Sequence, residues 1–379
     1  MAAALSSLAA PAAGSSAANG AAEAAASEEF AAAAATAADA AAAAAEAFPR
    51  SLSRIMFGTA RLTQTEDAFV MLDTVWANGV TAFDCARSYG AGEAEKVLGS
   101  WLTDRSIPRE SAYIATKGGA GSLWTGALDE ATLDAELQES LSALNMSYVD
   151  CYMLHRDDEA VPVDTVVKYL ANLVKQGLAR SYGFSNWRGA RILAAVEAAA
   201  AAGLPGPAAV GPQFSLARPA RPVWPGTTFL TDAEEVHQYQ RHGLAILCWE
   251  VLGKGLLANP SQWSDEEETA PREESVEREE EARRGDWENL TGDAFRDFRV
   301  KGAYVTQENF QRRQKAIRLA SQKGESLARV AVSYVLSQGP NFFAIVGPRS
   351  VAHFLEILPK LGALPLPLTR EELQSMNLD

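Results

Sequence analysis

The stretch VTAFDCARSYGAGEAEKVLGSWLTD, residues 80–104, contains one complete unit of a pattern that recurs along the chain. A short apolar run, 80–84, has the length of a buried strand and ends in Asp84. A glycine-rich loop follows, and residues 92–104 then place apolar side chains at the i, i+3, i+4 spacing of an amphipathic helix. The stretch therefore predicts one strand followed by one helix, the repeating unit of a parallel sheet.

The same alternation recurs along the chain from residue 54. The predicted strands are 54–58, 80–84, 112–117, 148–155, 180–186, 208–215, 244–249 and 342–347. The predicted helices are 65–79, 92–104, 133–145, 163–177, 186–203, 232–243, 325–339 and 350–362. Most of these helical segments end in Gly or Asn, which are helix stop signals. Eight strands alternating with eight helices predict an α/β fold, the (β/α)8 or TIM barrel.

A doubly wound parallel sheet is the main alternative for such an alternation. That fold usually has fewer strands, and it carries a GxGxxG motif at its first strand–helix turn when it binds a dinucleotide. The first turn here, FGTARLTQTE (57–66), lacks that motif. Both the number of strands and the first turn favour the barrel.

Two segments stand outside the repeat. Residues 1–48 are mostly Ala with some Ser and contain five acids but no Lys or Arg, so we expect a disordered or weakly helical segment. An organelle transit peptide is the alternative, which the acids and the missing arginines disfavour. We expect the folded domain over 49–379, with an acidic excursion at about 259–310. A solvated, partly helical segment and an active-site lid both remain open for that excursion.

Charge and composition exclude several classes of protein. The 379 residues carry a formal net charge of −14, which argues against nucleic acid as the main partner. No apolar run is long and bulky enough to span a membrane. Three widely spaced cysteines, Cys85, Cys151 and Cys248, indicate a reducing compartment and a cytoplasmic location instead of a disulfide framework. The four histidines form no metal-ligand cluster with them, so no metal site is predicted.

Polar residues at the strand ends are the candidates for chemistry, because catalytic groups of a (β/α)8 barrel lie at that face. Strand two ends in Asp84 with Tyr89 in its loop, strand three ends in Lys117, and strand four ends in His155. A lysine cation favours the phenolate and lowers the pKa of a neighbouring tyrosine. An aspartate would keep the lysine charged, and a histidine could orient a carbonyl group. The set suits protonation of an oxygen that becomes negative as hydride reaches its carbon.

Six motifs in barrel order make the sequence resemble the aldo/keto reductases, a family of (β/α)8 barrels that use nicotinamide cofactors. The motifs are FDCARSYGAGEAEKVLG (83–99), IATKGG (114–119), YVDCYMLH (148–155), GFSNW (183–187), WEVLGKGLL (249–257) and IVGPRSVAHFLE (345–356). The resemblance implies that Asp84, Tyr89, Lys117 and His155 form the family's catalytic tetrad, with Tyr89 as the acid in reduction. The implied reaction is NADP(H)-dependent reduction of an aldehyde or ketone to the alcohol, or the reverse.

The resemblance also implies a cofactor site along the later strand ends. Its residues would be Ser185, Asn186, Gln213, Trp249, Leu252, Gly347, Arg349 and Ser350. In the family, residues at the positions of Ser185, Asn186 and Gln213 hold the nicotinamide carboxamide, and an aromatic at the position of Trp249 stacks on the ring. Arg349 would meet the adenosine phosphate end and favour NADP, with NAD as the alternative. The individual carbonyl or alcohol substrate and the oligomeric state stay open.

Some positions depart from the family's pattern. Glu250 and Val251 stand where Ser-Pro is common, and Ile357 stands where an Asn is common. Neither change affects the tetrad. The main functional alternative is a cofactor-binding regulatory or accessory subunit of the same fold with little turnover, and a barrel lyase or isomerase without nicotinamide is a weaker one.

Overall fold

The computed structural model of the chain describes residues 48, 52–62, 66–119, 128–224, 226–258, 302–358 and 366–377. The predicted Ala-rich segment therefore lies outside the described residues except for Phe48. Most of the acidic excursion lies outside them as well. Its last residues, 302–310, contain a helical turn at Gly302–Tyr304 and the start of a longer helix.

Eight parallel strands close into a barrel, which confirms the predicted fold. The strands are β1 (Ile55–Gly58), β2 (Ala82–Asp84), β3 (Tyr113–Gly118), β4 (Val149–Leu154), β5 (Ala179–Ser185), β6 (Ala209–Gly211), β7 (Ala245–Cys248) and β8 (Phe342–Val346). Each strand pairs with its sequence neighbours, and β1 pairs with β8 through Met56 and Ile345 to close the ring. The C-terminal ends of all eight strands thus meet at one rim.

Helices surround the barrel and follow the strands in turn. They are α1 (Glu66–Ala77), α2 (Glu93–Asp104), α3 (Glu130–Leu144), α4 (Val163–Lys175), α5 (Gly189–Ala202), α6 (Ala233–Arg241), α7 (Gln307–Lys323), α8 (Leu327–Leu336), α9 (Val351–Ile357) and α10 (Arg370–Asn377). Two of the predicted helix stop signals are confirmed. Asn145 follows the last residue of α3 and Gly203 follows the last residue of α5, and each has a left-handed backbone conformation.

Helices α7 and α10 were not predicted. Thr306 caps the N-terminus of α7, because its side chain accepts a hydrogen bond from the backbone N–H of Asn309, and the left-handed Gly324 caps its C-terminus. Its buried face includes Asn309, Arg312 and Arg313, so the apolar periodicity that reveals an amphipathic helix is weak there.

The hydrophobic core has two layers. The larger layer lies between the strands and the helices. The smaller one fills the barrel interior with mostly small or flexible side chains, such as Ala115, Met153 and Ala209, and Phe48 packs against it. All three cysteines are buried and free. Within the described part of the chain, no helix has the length and apolar character needed to cross a bilayer, and no cluster of ligating side chains could hold a metal.

Candidate active site

The ends of three neighbouring strands bring the four predicted tetrad residues together. Asp84 is the last residue of β2, Lys117 lies near the end of β3, and His155 directly follows β4. The loop after β2 is attached to β3 because the N–H of Arg87 donates to the carbonyl of Lys117 over 3.0 Å. That attachment turns the chain back over the rim, so that Tyr89 faces the other three residues.

The ammonium group of Lys117 is the centre of this cluster. Its Nζ lies 2.6 Å from Oδ1 of Asp84, 2.8 Å from the carbonyl oxygen of Cys85 and 3.3 Å from the hydroxyl of Tyr89. Three acceptors thus match the three protons that an ammonium can donate. Lys117 and Asp84 are both buried, and Tyr89 is half-buried at the mouth. The arrangement connects a buried ion pair directly to a phenol that faces the barrel mouth.

Burial shifts the ionisation of this cluster. It raises the pKa of Asp84, an effect that Lys117 only partly offsets. Burial alone would lower the pKa of Lys117, but Asp84 and Tyr89 together raise it above its ordinary value. Burial also raises the pKa of Tyr89 more than Lys117 lowers it. The prediction of a lowered tyrosine pKa is therefore wrong for Tyr89, because desolvation outweighs the effect of the lysine charge.

His155 completes the site as a neutral imidazole. Burial first, and then the nearby Lys117 and Arg156 cations, lower its pKa well below the ordinary value. Its ring meets the ring of Tyr89 edge-on, with centroids 5.8 Å apart. Nδ1 lies 3.4 Å from the hydroxyl of Ser88, and a proton donated from that hydroxyl would leave the imidazole proton on Nε2. Sequence reasoning missed Ser88, which lies next to Tyr89 in the same loop.

The predicted carboxamide-binding residues lie at the ends of β5 and β6. The hydroxyl of Ser185 donates to the carbonyl of Gly211 over 3.1 Å and accepts a hydrogen bond from Nδ2 of Asn186. Asn186 also donates to the carbonyl of His155, and its backbone is left-handed, with φ at 61°. These hydrogen bonds connect the C-terminal end of β5 to His155 of the tetrad.

Gln213 and Trp249 follow β6 and β7 and contact each other through their backbones. The predicted strand 208–215 ends at Gly211, since Pro212 has no N–H to continue the ladder. The indole N–H of Trp249 donates to the carbonyl of Gly211 over 3.1 Å. The buried Oε1 of Gln213 has no hydrogen-bond partner among the described residues.

The remaining predicted cofactor residues lie around the end of β8 and after β7. Leu252 packs against the core, and Gly347 and Arg349 are exposed beyond β8. Ser350 caps α9, because its hydroxyl accepts a hydrogen bond from the N–H of His353. Arg61, which sequence reasoning did not select, is exposed and lies close enough to Arg349 for the two cations to repel each other.

The sequence also matches a known protein family over most of its length. The model of the Aldo/keto reductase family matches residues 54–377, so the chain belongs to the aldo/keto reductase family. A similar protein in Oryza sativa subsp. japonica is named "Probable voltage-gated potassium channel subunit beta". It is 25% identical over 305 residues, which cover 79% of this chain and 84% of the relative. A protein of the same name in Arabidopsis thaliana is 28% identical over 183 residues, covering 48% of this chain and 53% of the relative.

Proposed function

We propose that this protein is an NADP(H)-dependent oxidoreductase that reduces an aldehyde or ketone to the alcohol, or catalyses the reverse reaction. The observation that carries the proposal is the continuous chain from the Asp84 carboxylate through the Lys117 ammonium to the Tyr89 hydroxyl. A neutral His155 lies beside that hydroxyl. A buried lysine bonded to a tyrosine at a barrel mouth is suited to proton transfer at a substrate oxygen.

The protein groups have separate roles in this reaction. Tyr89 gives its proton to the carbonyl oxygen, and the phenolate that results is stabilised by Lys117 at 3.3 Å. Asp84 keeps the lysine charged in its buried position. An N–H of His155 orients and polarises the carbonyl oxygen. A bound nicotinamide cofactor supplies the hydride in reduction.

The residues at the later strand ends fit such a cofactor. The orphaned Oε1 of Gln213 suits an N–H donor such as a carboxamide, because a buried acceptor without a partner costs free energy. The exposed Arg349, with Arg61 near it, suits a phosphate group. These cations support NADP over NAD as the preferred cofactor. We place the protein in the cytoplasm, where reduced nicotinamide cofactors and free cysteines would coexist.

The Tyr89→Phe variant tests the proposed enzyme. We expect the kcat/KM for NADPH-dependent reduction of a panel of carbonyl compounds to fall by roughly 10²–10⁴-fold, since general-acid catalysis is lost. Cofactor affinity, followed by NADPH fluorescence, should stay within about threefold of the parent, because only the acid is removed. Tyr169→Phe, on the outer helix α4, is the matched control and should behave as the parent. Equal turnover by parent and Tyr89→Phe would sink the proposed role.

A second candidate function is an accessory subunit of a potassium channel. The names of the two relatives favour it, because both are called probable voltage-gated potassium channel beta subunits. NADPH binding without turnover on any carbonyl of the panel, together with binding to a voltage-gated potassium channel, would favour this candidate. Turnover that depends on Tyr89 would favour the enzyme.

A further inference from the structure

A buried polar network surrounds the side-chain amide of Gln213. Its Nε2 lies 3.1 Å from Oε2 of Glu250 and also donates to the hydroxyl of Tyr304. That hydroxyl donates in turn to the same Glu250 oxygen over 2.6 Å. The other carboxylate oxygen of Glu250 pairs with Nζ of Lys254 at 2.6 Å. Gln213 and Tyr304 are almost fully buried, so water does not compete for these bonds.

This network decides which way the amide of Gln213 points. The two hydrogens of its Nε2 have two acceptors, the Glu250 carboxylate and the Tyr304 hydroxyl. A carboxylate only accepts hydrogen bonds, so a flipped amide would bring Oε1 against another acceptor. Burial and the nearby Glu250 raise the pKa of Tyr304 well above its ordinary value, so that hydroxyl keeps its proton and its place in the network.

The two groups that hold the amide are themselves held in place. The carbonyl of Tyr304 accepts a hydrogen bond from Nδ2 of Asn309, and the neighbouring carbonyl of Ala303 accepts one from the N–H of Ala220. Glu250 has a left-handed backbone, with φ at 56°, which costs energy for a residue with a side chain. The strained residue is anchored at its carboxylate by three contacts.

We propose that Glu250 and Tyr304 are positioning residues that keep Oε1 of Gln213 as an acceptor for an N–H group of the bound ligand. That N–H group belongs to the carboxamide of a nicotinamide cofactor, a step that rests on the proposed function. The site then distinguishes a carboxamide from a group of the same shape that lacks the N–H. Glu250 thereby acquires a role at the position where the family commonly has a serine.

A pair of cofactors that differ only in this group tests the proposal. NADP⁺ carries the carboxamide, and its 3-acetylpyridine analogue replaces the amide nitrogen with a methyl group. We expect the parent to bind NADP⁺ about tenfold more tightly than the analogue, since the analogue leaves a buried acceptor unpaired. Glu250→Gln can donate as well as accept, so the Gln213 amide can flip and the ratio should fall to about threefold or less.

The ratio of the two affinities is the informative quantity, measured by calorimetry on the full chain. Removing the Glu250 charge changes the binding of both phosphate-bearing ligands alike, so the ratio cancels that effect. Tyr304→Phe removes one of the two acceptors of the Gln213 amide and should give an affinity ratio between those of the parent and Glu250→Gln. It provides the test if Glu250→Gln does not fold. Glu197→Gln, an exposed change on α5, is the matched control and should keep the parental ratio.

The outcomes separate this proposal from the proposed function. A parent that binds both ligands equally, or variants that keep the full parental ratio, would overturn the positioning role while the cofactor site stands. A parent that binds neither ligand would overturn the proposed function and this inference with it.

Discussion

Lys117 is the residue on which the proposed chemistry most depends. Its ammonium is buried, with an exposed side-chain fraction of 5%, and it is matched to a single carboxylate, Asp84, with an exposed fraction of 4%. Two buried charges in contact stabilise a fold little in net terms, but either one alone is costly. Two hydrophobic side chains would fill the same space at no cost in stability. The buried ion pair is therefore consistent with a role in function.

Lys117→Met should therefore destabilise the protein strongly. We expect the free energy of unfolding to fall by about 3–5 kcal/mol, because the Asp84 carboxyl loses its buried partner. The double variant Lys117→Met with Asp84→Asn should be more stable than Lys117→Met alone, yet equally inactive. Urea denaturation and carbonyl reduction measure the two effects. The single variant Asp84→Asn is measured as well. A loss of stability in the double variant equal to the sum of the losses in Lys117→Met and Asp84→Asn would contradict the coupling.

The pH dependence of catalysis should reflect His155 and Tyr89. His155 has a pKa well below its ordinary value and Tyr89 a pKa above its own, so one is neutral and the other protonated over the neutral range. We expect the kcat/KM for carbonyl reduction to be flat from roughly pH 6.5 to 9 and to fall at higher pH as Tyr89 loses its proton.

His155→Asn provides the control for this profile. An amide cannot titrate, so the variant should have a lower rate with the same flat region. A step near pH 6.5 in the parent that disappears in His155→Asn would show that the imidazole titrates at its ordinary value.

At the scale of elements, strands β5 and β6 illustrate how closely the barrel is packed. A Cβ atom at Gly183 would lie 2.4 Å from the carbonyl oxygen of Ala209 on the paired strand. The glycine therefore allows the close approach of the two strands that position Ser185 and, beyond Pro212, Gln213.

Gly183→Ala should separate these strands. We expect it to lower the free energy of unfolding by about 1–3 kcal/mol through overpacking. Gly206→Ala is the matched control, since its Cβ would meet nothing closer than 3.9 Å, and it should change stability by less than about 0.5 kcal/mol. Chemical denaturation measures both. A parental free energy of unfolding in Gly183→Ala would show that the strands can move apart at no cost.

Helix α7 and the end of β6 are two places where the sequence pattern and the structure differ. Apolar runs and stop residues located every strand, but the buried side chains of α7 include the polar Asn309, Arg312 and Arg313 beside its apolar ones, which weakens the apolar periodicity of that helix. The predicted end of β6 lies too late because Pro212 has no N–H to continue the ladder, and Gln213 beyond it forms isolated bridges.

At the scale of the whole molecule, closure of the barrel brings distant residues into one site. Tyr304 reaches Gln213 across 91 positions of sequence, and Asp84 reaches Lys117 across 33. Phe48, which we assigned to the N-terminal segment, packs against Tyr113 and Phe343 with ring centroids 5.0 and 5.5 Å away. The packed part of the chain therefore includes that residue.

The alternation of strands and helices, and with it the barrel, follows from the order of apolar and polar residues along the chain. The same order also places Asp84, Lys117 and His155 at strand ends, because hydrophobic periodicity and strand length are local properties of a chain. The folded arrangement was needed for three other features: the raised pKa of Tyr89, the contact of Ser88 with His155 and the network that holds Gln213. These depend on burial and on neighbours far apart in sequence, and no local pattern records which buried charge or hydroxyl a folded chain brings against another.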